Sequence, residues 1–192
     1  MATDARMHRR ELDTAERKDR CKIEGNAVTE KEVQCLIAER LGLGVVTIPN
    51  VLMIPSNHTG YGYEADLLYF RTQSPYLYEV EIKCHYDDFI NDFKKKLYHN
   101  DDSIRGLYYA FPDGIWECHK DDIQDVLKEK NQGAGIMIAS YSSSQNLIFK
   151  RCKLKKVKQL TTEQQMHYMR IGCYKWWKRE FNPLFHEYLE SL

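Results

Sequence analysis

The sequence predicts an α/β protein in which helices flank a mixed central sheet. Three observations carry this expectation. Apolar and aromatic runs of strand character at 51–54, 64–70, 77–83, 106–111 and 134–140 alternate with segments that repeat at helical spacing. The order is helix, three strands, helix, strand, helix, strand, which leaves helices to cover a sheet. A chain of 192 residues is long enough for one domain with its own core, plus an appendage at most.

Residues 1–25 are mixed in charge and poor in apolar positions, and read as a flexible N-terminal arm. The α/β core is assigned to 26–144, and a basic edge strand with a C-terminal helix to 145–192. The first helix begins at Thr29, where Glu32 three residues on completes a capping box. Val33, Leu36, Ile37 and Leu41 form its apolar stripe, and Gly42 and Gly44 end it. Three strands follow, separated by the turn-rich SNHTGYG and RTQSP. An amphipathic helix over 86–98 is marked by Phe89, Ile90, Phe93 and Leu97. The strand at 106–111 stops at Pro112-Asp113-Gly114, and a short helix over 121–130 leads to the strand at 134–140. An edge strand at 145–152 precedes a long helix over 161–181, capped by Thr161 or Thr162 and closed by Asn182-Pro183.

Composition narrows the classes of function. No run approaches the ~18 apolar residues of a membrane span, and the N-terminus has no apolar signal region. The six cysteines show no zinc-ligand spacing, so reduced thiols in a cytoplasmic, intracellular protein are the simplest expectation. Net charge is zero, yet residues 150–179 hold ten basic residues against Glu163 alone. That asymmetry points to a polyanionic partner.

The segment 63–83, YEADLLYFRTQSPYLYEVEIK, carries the chemistry. On a strand, Leu77, Glu79, Glu81 and Lys83 share one face while Tyr78, Val80 and Ile82 point the other way. If Phe70 lies opposite Leu77 across a six-residue loop, each further pair sums to 147 and Asp66 falls opposite Glu81. Opposed Cβ atoms are about 5 Å apart, close enough for two carboxylates to share a divalent cation. The competing reading is an ordinary solvated face of alternating charge. In the same register Glu64 faces Lys83 as an ion pair. His85 is the one histidine near this site, a proton shuttle or a bystander.

Asp66 with Glu81-Ile82-Lys83 resembles the PD-(D/E)xK nuclease signature. The continuation EIKCHYDDFINDFKKKLYHNDDSIRGLYYAFPDG resembles the MmcB-like DNA-repair family, in which the E-x-K strand enters a D-F-x-x-D-x-K helix and then a tyrosine-rich strand ending at proline. Asp88, Phe89, Asp92 and Lys94 occupy the helix positions. The upstream EADL resembles that family's R-A-D-L, with Glu64 where arginine is common.

The resemblance implies a restriction-endonuclease-like core and metal-dependent hydrolysis of DNA, in repair, recombination or a phage-related setting. It implies that Asp66, Glu81 and the Ile82 backbone carbonyl hold Mg²⁺, with Mn²⁺ able to substitute, and that Lys83 orients the attacking water or steadies developing charge. A further metal carboxylate from the first helix would be Glu30, with Glu32 taken by the cap and Glu39 facing solvent. Asp88 and Asp92 are either a salt-bridged helix face or, by resemblance, a shell around Lys83 together with Glu64. Lys94, Lys95 and Lys96, and on the last helix Lys175, Trp176, Lys178 and Arg179, are the expected nucleic-acid contacts. Trp177 is expected to dock on the sheet. The basic run KRCKLKKVK reads as an edge strand whose lysines block aggregation, contact phosphates, or do both. The alternative function is a nucleic-acid-binding module that keeps the fold without cutting. DNA or RNA as substrate, and the oligomeric state, stay open.

Overall fold

The computed structural model describes residues 28–53, 62–94, 101–142 and 144–190, with side chains of the last segment as far as Lys178. The N-terminal arm, Lys95, Lys96 and the Arg179 side chain lie outside the described residues. The described chain is α/β, with four helices on a six-stranded mixed sheet. Its elements are α1 (Glu30–Leu41), β1 (Val45–Met53), β2 (Tyr63–Arg71), β3 (Ser74–Ile82), α2 (Tyr86–Asp92), β4 (Ile104–Pro112), α3 (Asp113–Lys130), β5 (Gly135–Ala139), β6 (Ile148–Lys150) and α4 (Thr162–Glu190). No helix among the described residues is long and apolar enough to cross a membrane.

The strands lie in sequence order, β1 to β6. β1–β2–β3 form an antiparallel meander, β3–β4–β5 are parallel through the α2 and α3 crossovers, and β6 returns antiparallel. Helix α1 covers one face, where Val33, Leu36 and Ile37 meet Leu67, Tyr69, Val80 and Ile82. On the other face α2 and α3 bury Phe89, Trp116, Ile123 and Leu127 against Tyr109, Phe111, Ile136 and Ile138. Tyr168 and Ile171 of α4 close the same face over Ile48, Leu68, Phe70 and Leu77. Phe89 holds its corner through edge-on contacts with Tyr109 and Phe111, at ring separations of 5.3 and 5.2 Å.

Several boundaries differ from the expectation. β1 starts at Val45 because Gly42 alone, at φ 79°, ends α1. The β2–β3 connection is the tight turn Thr72-Gln73 rather than a six-residue loop, with a register irregularity between Tyr69 and Arg71. α2 ends at Asp92, capped by Phe93, instead of running to 98. Pro112 does stop β4, but it is also the cap of α3, which begins at Asp113 and bends at the non-helical His119. α4 continues past Asn182-Pro183 to Glu190, because a proline removes one backbone donor without having to end a helix. Cys35, Cys84, Cys152 and Cys173 are free, but Cys118 is disulfide-bonded, against the expectation of reduced thiols throughout.

The largest departure is the basic segment. β6 holds only Ile148–Lys150, and residues 151–161 form no strand. They make a strap across the end of the sheet where β3, β4 and β5 begin. The N–H groups of Lys153, Lys155 and Leu160 donate to the carbonyls of Gly133 (2.7 Å), Arg105 (2.7 Å) and Pro75 (2.8 Å). Cys152 and Leu160 are its buried anchors.

Gly135 is where the strap meets β5. A Cβ there would stand 2.4 Å from the Tyr108 ring and 2.7 Å from the Cys152 backbone nitrogen, which cannot yield. Gly135→Ala is therefore expected to cost about 1–3 kcal/mol, read as a lower urea midpoint with an unchanged slope. An unchanged midpoint would contradict this placement of the strap.

Candidate active site

The 147-sum pairing of the β2–β3 hairpin holds for Leu67↔Val80, Leu68↔Glu79 and Tyr69↔Tyr78. Asp66 and Glu81 lie one step further on. There the ladder opens, and the Ile82 N–H donates to Asp66 Oδ2 at 2.7 Å instead of to β2 backbone. An extended residue projects its N–H and C=O to the same side, so the Ile82 carbonyl also faces β2. The Lys83 N–H turns the other way, to Ala110 of β4, at 2.9 Å.

The acid–base face of β3 is not solvated. Glu79 is 0% exposed, and Glu81 and Lys83 are each 5% exposed. The Tyr63 hydroxyl donates to Glu79 at 2.9 Å. Lys83 Nζ donates to Glu81 Oε1 at 2.6 Å and to Asp92 Oδ1 at 3.1 Å, and the Tyr109 hydroxyl donates to Asp92 Oδ2, also at 3.1 Å. Burial alone would depress the Lys83 ammonium, but the Glu81 and Asp92 carboxylates outweigh it and hold its pKa above the usual value. Lys83 is therefore a fixed cation, with two of its three N–H donors committed to these acids.

Asp92 thus belongs to the site, whereas Asp88, four residues earlier, is exposed on α2. Glu64 does not reach Lys83 as expected; its carboxylate accepts from the Asn50 amide at 3.1 Å, because Lys83 turns toward α2. His85 is an exposed cap residue of α2.

Helix α1 brings Glu30 to the same end of the hairpin. Its capping box forms as expected, with the Glu32 carboxylate accepting from the Thr29 N–H at 2.7 Å, so Glu32 is spoken for. Glu30 Oε1 accepts from Gln34 Nε2 at 2.9 Å and from Asn50 Nδ2 at 3.0 Å. Gln34 Nε2 also donates to the Asp66 carbonyl at 2.6 Å. Gln34 and Asn50 were not singled out from the sequence. Gln34 carried one signal, a polar residue four after Glu30 beside the apolar stripe. Asn50 carried none, and it occupies the left-handed region at φ 50°, which asparagine tolerates better than most residues.

This end of the sheet is electrostatically negative. Burial, then the Glu81 charge, pushes the Asp66 carboxyl up to about 8; Glu30 adds to the rise, and the Ile82 N–H and Lys83 oppose it. Burial and the nearby Glu30 and Asp66 carboxylates push the Cys84 thiol up to about 11. Among the described residues no three His, Cys, Asp or Glu side chains form a ready-made metal cage. Magnesium rarely uses one, since it is usually held by one or two carboxylates and keeps several waters. The oxygen donors here fit that habit. Gln34 Oε1 is also buried without a hydrogen-bond partner, because its amide nitrogen is taken by acceptors. It is a further neutral oxygen beside Asp66 and Glu30.

The expected nucleic-acid contacts fare unevenly. Lys94 is exposed, with its ammonium on the Asn91 side chain at 2.7 Å. Lys175 and Trp176 turn inward, against the expectation: the Lys175 ammonium donates to the Asn50 carbonyl, and the Trp176 indole to the Thr47 carbonyl at 3.0 Å. Trp177, expected on the sheet, is 60% exposed, and Lys178 is exposed beside it. The cause is the rotation of α4, which lays Gly172 against Thr47 and so fixes which face meets β1.

Compared with known protein families, characterised proteins and solved structures, the chain has no match.

The raised Asp66 pKa fixes a pH dependence. The folded state holds its proton up to pH ~8 while the unfolded state releases it near 3.8, so without metal this group lowers stability progressively across that window. Asp66→Asn keeps an acceptor for the Ile82 N–H. It is expected to raise urea-measured stability by a few kcal/mol at pH 8 in EDTA, with the gain vanishing below pH ~4. A loss of stability at every pH would contradict this.

Proposed function

We propose that the chain is a nuclease with a restriction-endonuclease-like core that hydrolyses phosphodiester bonds in DNA using Mg²⁺, for which Mn²⁺ substitutes. The observation that carries this reading is the buried Glu81–Lys83–Asp92 arrangement beside Asp66, at the end of β3. A face that only needed packing would have no use for a buried ammonium held by two acids, since burying charge is expensive.

Asp66, Glu81 and the Ile82 carbonyl would hold the ion, with Glu30 beyond Asp66. When bound, the ion lowers the pKa of a water and polarises the phosphate. The remaining roles belong to the chain. Lys83, kept protonated by two acids, offers its remaining N–H to the negative charge that builds on the phosphate oxygens. Asp92 aims that ammonium, and Tyr109 fixes Asp92 through its second oxygen. The Ile82 N–H holds Asp66 Oδ2, which orients the carboxylate without neutralising it.

Two substitutions test the assignment. Asp66→Ala is expected to lower cleavage by several orders of magnitude and to abolish Mn²⁺ binding. Lys83→Gln is expected to lower cleavage at least about 10²-fold while leaving Mn²⁺ binding intact. Cleavage that survives both changes would overturn the residue roles. A wild-type protein that binds single-stranded, duplex or branched DNA but cuts none of them with Mg²⁺ or Mn²⁺ would establish a binding module instead.

A further inference from the structure

The basic strap and the candidate site lie at opposite ends of the sheet. β3 begins at Ser74, beside the Pro75 carbonyl that holds the strap, and ends at Ile82, beside Asp66. The eight residue steps from Ser74 to Ile82, at ~3.3 Å each, separate the two ends by about 26 Å. Cations on the strap therefore cannot reach a phosphate held at Asp66 and Glu81.

We infer that the strap is a second nucleic-acid contact, separate from the Asp66–Glu81–Lys83 site, that grips the sugar–phosphate backbone. Arg151, Lys153, Lys155, Lys156 and Lys158 are all exposed, and they form no ion pair among the described residues. Of the acids at this end, Asp101 is turned inward onto Ser103 at 2.7 Å, Glu129 pairs with Lys130 at 2.7 Å, and Glu163 is exposed in the first turn of α4. Asp102 is the exposed acid near the start of β4.

Guarding a sheet edge does not account for these lysines. An edge defence lies along an edge strand, whereas the strap crosses beneath the ends of three paired strands. Its backbone is fixed by three hydrogen bonds and two buried anchors, so the cations are presented without first having to order the chain. A row of cations with Leu154 as its one strongly exposed apolar side chain suits a linear polyanion. A protein partner would call for aromatic or aliphatic anchors.

This inference rests on nucleic acid being the partner, and not on hydrolysis. The test uses the full chain in EDTA, where nothing is cut, and reads binding of a labelled duplex of about 24 base pairs by fluorescence anisotropy across a salt series. Each phosphate contact contributes about 0.9 to the slope of log affinity against log salt. Replacing Lys153, Lys155, Lys156 and Lys158 together by Gln is expected to lower the slope by about 2–4, and replacing them by Arg is expected to keep it. Should the fourfold Gln protein fail to fold, each single Lys→Gln variant carries the same test, with a decrease of about 0.9 at each lysine that contacts phosphate. An unchanged slope in folded Gln variants would overturn the inference, as would tighter binding of polyglutamate than of the duplex. A wild-type protein that binds DNA through the strap yet cuts none would defeat the nuclease reading and leave this one standing.

Discussion

Lys83 stands between two carboxylates, 2.6 Å from Glu81 and 3.1 Å from Asp92, and all three residues are nearly excluded from solvent. Most of the architecture around the site follows from keeping that arrangement together. Taking one member away leaves a buried charge uncompensated, a loss of about 3–5 kcal/mol. The end of β3, the last turn of α2 and the middle of β4 must therefore stay aligned, because Glu81 and Lys83, Asp92, and Tyr109 come from those three elements in turn. Phe89, buried one helical turn before Asp92, makes the apolar side of the same alignment against Tyr109 and Phe111.

Around this fixed cation the chain assembles a negative rim from distant segments. α1 supplies Glu30 and Gln34, β1 supplies Asn50, and β2 supplies Glu64 and Asp66. Asn50 links them, and the Lys175 ammonium on its carbonyl ties α4 to the same cluster. Burial and the Glu81 and Glu30 charges raise the Asp66 pKa, and a cation there would relieve that cost. Placing the exposed positive charge on a strap at the far end of the sheet keeps those lysines from pairing with the rim.

The 147-sum register was an assumption built on a six-residue loop; the loop is shorter, and the irregularity between Tyr69 and Arg71 restores the sum from Tyr69↔Tyr78 onward. The sequence carried Asp92 through its spacing from Asp88, though not which of the two turns inward; that depends on the rotation of α2, which Phe89 sets. Asn50 was silent, and Gln34 showed only its spacing from Glu30, because their other contacts bridge 14 to 32 residues and follow no periodicity. The neighbouring Trp176 and Trp177 were assigned the wrong way round for a similar reason: composition shows that α4 is amphipathic, but the close approach of Gly172 to Thr47 decides which tryptophan meets the sheet. The strap was read as a strand because KRCKLKKVK alternates. Alternation reports two faces, and in this segment one of them is bonded to the ends of strands rather than to a strand alongside.

The central claim is that the end of the β2–β3 hairpin is a divalent-cation site. The most direct measurement is a crystal structure of the full chain soaked in Mn²⁺, with data collected at the manganese absorption edge. The account predicts one anomalous peak between Asp66 and Glu81, within bonding distance of both carboxylates and of the Ile82 carbonyl oxygen, with Lys83 still held by Glu81 and Asp92. A map with no peak there at saturating Mn²⁺, or with the metal on other side chains, would contradict it.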